Sequence, residues 1–258
     1  MKTDRIIPIV VGVVGIAAIA WFFWPATVAP PPPPGPTKVE APAPSGPKFP
    51  VAQKPTEPLP TLKESDASAV EALKGPFGAD QVAKLFVPEN LILNIVATVD
   101  NLPREQATRR LWPITAPGGV LKTTGKEDKL AIAADNGARY KPWVDAFDKA
   151  DPAMVVGAYV RFYPLFQQAY VELGFPNGYF NDRLVEVIDH LLDAPEPKGP
   201  IKLTVPHVLY EYADPDLQSR SAGQKLLMRL GPENEARVKA KLREYRKEVV
   251  AQAAPAPR

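Results

Sequence analysis

The chain has 258 residues, a formal net charge of +2, no cysteine and two histidines. A charge so near balance gives no electrostatic case for nucleic acid, and the lack of cysteine excludes disulfides and thiolate metal centres. With His190 and His207 as the full histidine complement, histidine-dependent catalysis has few possible builds.

Lys2 and Arg5 precede an uncharged run from Ile6 to Trp24 that ends in Trp21, Phe22, Phe23 and Trp24. At about 1.5 Å per residue the run matches the ~30 Å hydrocarbon core of a bilayer, and the basic flank keeps residues 1–5 cytoplasmic. The reading is one transmembrane helix over 6–24 in a bacterial inner membrane, with everything after it periplasmic. A cleaved signal peptide is the competing reading. The length of the run, its aromatic end and the prolines directly after Thr27-Val28-Ala29 weigh against it.

Residues 25–60 turn to proline, alanine and scattered charge without apolar periodicity. Such a linker is disordered and favours polyproline II at about 3.1 Å per residue, so it holds the folded region up to roughly 100 Å from the membrane.

That folded region is expected over 61–250, with a disordered tail over 251–258. Ser65 or Asp66 caps a helix through Val70 and Leu73 that Gly75-Pro76 closes, and a second short helix carries Val82, Leu85 and Phe86. Pro88 opens a third, whose Leu91, Ile92, Ile95, Val96 and Val99 make a broad apolar face. Arg104 to Leu111 reads as a short basic helix. Val120 to Thr124 and Leu130 to Ala133, bounded by glycine turns, read as a β-hairpin. The Lys122-Thr123-Thr124-Gly125 stretch lacks the Ser-x-x-Lys partner that penicillin-recognising chemistry requires.

A short helix around Trp143, Val144 and Phe147 leads to the central pair of helices. Asp151-Pro152 starts the first, with Val155, Tyr159, Phe162, Phe166, Ala169 and Leu173 as its stripe and a kink expected at Pro164. Leu173-Gly174-Phe175-Pro176 stops it. Asn181 or Asp182 caps the second, whose apolar face is Phe180, Leu184, Val187, Ile188, Leu191 and Leu192. Asp182, Glu186, Asp189 and Asp193 share its other face, flanked by Arg183 and His190.

That stripe has three readings: a structural face paired with arginines such as Arg104, Arg109, Arg110 or Arg161, a partner-binding surface, or a divalent metal site. The Glu-x-x-His spacing of di-iron helices is absent, because Glu186 is followed three residues later by Asp189. Neither a metal nor a cofactor is assigned.

Beyond the pair, Ile201 to Val205 is extended, and His207 lies among Tyr210, Glu211 and Tyr212 as a packing residue or part of a small-ligand site. Asp214-Pro215 starts a helix through Leu217, Leu226, Leu227 and Leu230, hinged at Gly231-Pro232 to a last, basic helix. Its stripe of Val238, Leu242, Tyr245 and Val249 docks on the fold or lies on an anionic surface. The fold class is therefore mainly α: a helical, bundle-like domain with a small β-hairpin, behind one transmembrane helix and a proline-rich linker.

Tyr163-Pro164-Leu165-Phe166-Gln167, Glu172-Leu173-Gly174-Phe175-Pro176, the block from Gly178 to Leu192 and Ser221-Ala222-Gly223-Gln224-Lys225 resemble the bacterial family catalogued as domain of unknown function 3014. The resemblance spans about Leu59 to Val249. It implies no activity and carries over no catalytic residue.

The function expected is that of a single-pass envelope protein presenting a binding or scaffolding module to a periplasmic protein or cell-wall partner. The alternatives are a carboxylate-dependent envelope hydrolase, using pairs such as Glu186 with Asp182 or Asp189, and a metal-binding sensor on Asp182, Glu186 and His190.

Overall fold

The structure, a computed structural model, describes residues 46–51 and 57–252. The expected span over 6–24, most of the linker and the tail after Gln252 lie outside these residues. Among the described residues no helix is long and apolar enough to cross a membrane.

The described residues belong to one compact unit, mainly helical with two small antiparallel hairpins. Helix α1 (Asp66–Phe77) carries Pro76 inside its last turn and ends at Gly78, whose φ of 82° suits glycine. Asp66 does not cap its own helix. Its carboxylate accepts from the Asn90 and Leu91 backbone N–H groups at 2.7 and 2.9 Å, and so satisfies the start of another helix, α3 (Leu91–Asn101). Between them lies α2 (Ala79–Leu85).

The basic helix expected over 104–111 is reduced to a single 3-10 turn, Arg109–Leu111. The first hairpin forms as expected but is short: β1 (Thr123–Thr124) pairs with β2 (Ala131–Ile132). A second hairpin, β3 (Leu203–Thr204) with β4 (Glu211–Tyr212), was not legible because Pro206 cuts its first strand. The hairpins meet through an isolated Ala131–Lys202 bridge and are covered by Met228.

Helix α4 (Lys141–Lys149) leads into α5 (Pro152–Glu172), where Asp151 caps by accepting from the Ala153 and Met154 N–H groups. Helix α5 continues as one element through Pro164, which faces outward. Its burial is broader than one stripe. Val156, Val160, Leu165 and Tyr170 are buried with Phe162 and Phe166, while Leu173 is exposed.

Helix α6 (Phe180–Leu192) is the hub. Its Phe180 joins the cluster of Leu91, Ile92, Val96 and Phe162, its Val187, Ile188 and Leu191 join Val144, Leu227 and Leu242, and its Val185 joins Val156, Tyr245 and Val249. After α7 (Pro215–Gln218) and α8 (Ala222–Arg229), which the sequence reads as one helix, comes α9 (Pro232–Ala251). Helix α9 packs on α4, α5 and α6 and buries Leu242, Tyr245 and Val249. It is docked as a core helix.

Residues 46–51, expected to belong to the linker, are part of this body. Phe49 and Val51 pack on the cluster formed by Val156, Val160, Val185, Tyr245 and Val249.

Candidate functional site

The six polar residues of the α6 stripe share a helix but not a site. Asp182 lies in the first turn, yet it does not cap α6. Its two carboxylate oxygens accept from the Lys48 and Phe49 backbone N–H groups at 2.9 and 2.8 Å. Asn181, the other expected cap, is 1 % exposed. It accepts from the Tyr159 hydroxyl and donates to the Phe49 carbonyl, so Asn181 and Asp182 together clamp Lys48 and Phe49.

The start of α6 is satisfied instead by Gln167 of α5, whose Oε1 accepts from the Phe180 N–H at 2.9 Å while its Nε2 donates to the Gly178 carbonyl at 2.8 Å. One side chain thereby fixes the turn between the two helices.

Arg183 turns inward to Asp100 of α3, whose side chain is 3 % exposed. Its Nε donates to Asp100 Oδ1 at 3.0 Å, and its second guanidinium nitrogen, Nη2, donates to the Asp100 carbonyl at 3.1 Å. Arg104 donates to the remaining oxygen of Asp100, so the expected counter-charge from the 104–110 region serves α3 rather than the stripe. Nη1 of Arg183 meets the exposed Glu186 at 3.1 Å. Burial works against the Arg183 charge, but the hydrogen bond to Glu186 and the charge of Asp100 outweigh it and hold its pKa above the usual value.

Asp189 takes both forks of Arg246 on α9, Nη2 to Oδ2 at 3.0 Å, an arrangement that puts the Arg246 pKa above normal chiefly through that hydrogen bond. This pair replaces the Arg161 partner considered from sequence, since Arg161 binds Glu57. His190 Nε2 lies 2.8 Å from Ser221 Oγ, and the His190 carbonyl accepts from Gln224 Nε2 at 2.9 Å. Asp193 is exposed at the C-terminal end of α6.

The stripe therefore disperses into separate joints between α6 and the 46–51 segment, α3, α8 and α9. Two-carboxylate hydrolysis needs two acids facing one substrate, whereas Asp182 faces backbone N–H groups and Asp189 faces a guanidinium. Among the described residues no group of three or more His, Cys, Asp or Glu side chains is arranged to hold a metal ion.

Several residues to which the sequence assigned no structural role carry this framework. Ser221 caps α8 by accepting from the Gln224 N–H at 3.2 Å, and the Ala222 and Gly223 N–H groups donate to the Arg104 and Leu102 carbonyls. A β-carbon on Gly223 would stand 2.6 Å from Leu191 Cδ2 and 3.0 Å from the Leu102 carbonyl oxygen, so only glycine lets α8 approach so closely. On α9, Lys239 is buried. It donates to the Ala194 carbonyl at 2.6 Å and to Glu196 at 2.7 Å, with buried Glu235 at 3.5 Å. Burial pushes the Glu235 carboxyl up to about 7 against the pull of Lys239.

What the domain turns outward is different in kind. The loop between β3 and β4 exposes Val205, Val208, Leu209 and Tyr210, with Val208 and Leu209 at 91 % and 77 % exposure. His207, expected as a packing residue or part of a small-ligand site, is exposed on the same loop.

The family model described as "Protein of unknown function (DUF3014)" matches residues 91–246, and the chain belongs to that family. No curated protein and no solved structure matches it.

Proposed function

From membership of a family without an assigned activity, we propose that the chain is a single-pass membrane protein of the bacterial envelope whose helical domain binds a periplasmic protein or cell-wall partner. The proline-rich spacer carries the domain away from the bilayer. The observation that carries the binding reading is the apolar tip of the second hairpin, because two side chains as exposed as Val208 and Leu209 gain nothing from water and stabilise the domain only through contact with something else. The clamp on Lys48 and Phe49 supports presentation, since it fixes this part of the spacer on the domain. The hydrolase and metal-sensor readings lose the shared acidic face on which both relied.

The test is photo-crosslinking in cells from a reactive side chain at position 209 of the full chain. A discrete adduct with an envelope protein or wall fragment, lost when Val208 is changed to Ser, supports the reading. A folded chain that forms no discrete adduct there overturns it.

A further inference from the structure

Among the described residues, most buried or half-buried cations have a partner. Arg183, Arg237, Lys239, Lys241 and Arg246 each lie beside a carboxylate, and Arg139 donates to the Gly118 and Gly119 carbonyls. Helix α8 breaks this pattern. Lys225 and Arg229 within it, and Arg220 just before it, are half-buried, yet none of the three is paired with a carboxylate among the described residues. The Nε atoms of Arg220 and Arg229 are sealed from water and donate to nothing among those residues. A charged donor taken out of water without an acceptor is costly, so these groups gain from a ligand that carries negative oxygens.

Lys225 and Arg229 are four residues apart on α8, which sets their side chains side by side on one face. Lys225 Nζ donates to the Gln218 carbonyl at 3.0 Å, which leaves two of its three donors. The Arg229 guanidinium lies over the Tyr212 ring, 5.7 Å from its centre, and the Tyr212 hydroxyl donates to the Lys225 carbonyl at 3.1 Å. Like charges at this spacing destabilise a helix. Burial, and then the charge of Arg229, push the Lys225 pKa below its usual value against the pull of Glu105 and Glu211.

The backbone donors at the start of α8 are already taken. Ala222 and Gly223 donate to the Arg104 and Leu102 carbonyls and Gln224 to Ser221 Oγ, so an anion here is held by side chains and not by the helix end. Two adjacent cations are balanced by a doubly charged oxyanion, whereas a carboxylate balances only one. Guanidinium and ammonium donors both suit phosphate oxygens.

We propose that Lys225 and Arg229 bind a phosphate group, free or as a monoester, with Arg220 adding positive potential along the same helix. This goes beyond the contact reading above: it concerns one face of α8, and it stands or falls without the hairpin tip.

Melting curves of the full chain in detergent micelles test it in two arms. One compares sodium phosphate with sodium chloride at matched ionic strength, and the other compares micelles doped with phosphatidic acid or with phosphatidylcholine. Phosphate is expected to raise the melting temperature saturably, with half-saturation below about 1 mM. Lys225→Gln is expected to weaken that binding about tenfold, the loss of one charge-assisted hydrogen bond, and Arg229→Gln serves if that variant does not melt cooperatively. A rise with inorganic phosphate that the variant weakens assigns free phosphate, and one confined to phosphatidic acid assigns a lipid headgroup. Equal rises in each arm and its control, half-saturation above that concentration, or binding undiminished in the folded variant overturn the proposal. Neither result alters what cross-linking from position 209 shows.

Discussion

Arg183 reaches from α6 to Asp100 near the end of α3, donating to its carboxylate at 3.0 Å and to its backbone carbonyl at 3.1 Å. Asp100 is nearly sealed from solvent and meets Arg104 as well as Arg183, so this one acid ties the end of α3 to α6. Removing the acid leaves a largely buried guanidinium with only the exposed Glu186 and a backbone carbonyl to meet it, and breaking a buried pair in this way destabilises by several kcal/mol. Asp100→Ala is expected to lower unfolding stability by about 3 kcal/mol, measured by denaturant titration. A loss below about 1 kcal/mol would mean that the joint carries no more than a surface pair.

Asp189 and Arg246 form the exposed counterpart, each about half open to water. Solvent screens such a pair, so Asp189→Asn is expected to cost less than about 1 kcal/mol and its effect to shrink with salt. A double-mutant cycle with Arg246→Ala checks this, and a coupling well above that value would contradict it.

Glu235 gives the domain a pH signature. Its folded pKa of about 7 lies above the ordinary carboxylate value, so the folded state holds a proton that the unfolded chain has released. Stability from this group is therefore fully present below about pH 4.5 and is lost as pH rises through about 7, with an amplitude on the order of 3 kcal/mol. The groups facing it are Lys239 and, through Lys239, Glu196. Glu235→Gln is expected to flatten that slope between pH 5 and pH 7, read from melting curves at fixed ionic strength. An unchanged slope would assign the dependence elsewhere.

Gly223→Ala places a methyl group against Leu191 and the Leu102 carbonyl, one of which must move. Overpacking of this kind destabilises by about 1–3 kcal/mol, and calorimetry on the variant should show it. Tyr245 behaves in the opposite sense. Its hydroxyl is buried without a hydrogen-bond partner among the described residues, so Tyr245→Phe should leave stability unchanged or raise it by up to about 1 kcal/mol.

The helices were legible because their apolar periodicity is long and their caps are simple: α5 begins at Asp151 and α9 at Gly231-Pro232, as the sequence implies. The acidic stripe was legible as a pattern but not as a set of partners. Spacing along one helix fixes which residues share a face, whereas the partners Lys48, Phe49, Asp100, Ser221 and Arg246 come from four other segments. One signal did exist for Asp100, a lone acid closing the run from Leu91 to Val99, where a charge must find a counter-charge if it is buried. Phe49 and Val51 carried none, since two apolar residues among prolines show no period. The second hairpin was hidden because Pro206 stops the extended run from Ile201 to Val205, and Glu211-Tyr212 lacks the flanking glycine turns that marked the first hairpin.

The claim most open to a direct check is that an anchor and a stiff arm present this body outside the cytoplasm. Protease added to cells with a permeabilised outer membrane should cut the arm before residue 46 and release a soluble, folded fragment, leaving the membrane-bound stub behind. A chain that stays full length under those conditions, yet is cut once the inner membrane is opened, would contradict the account.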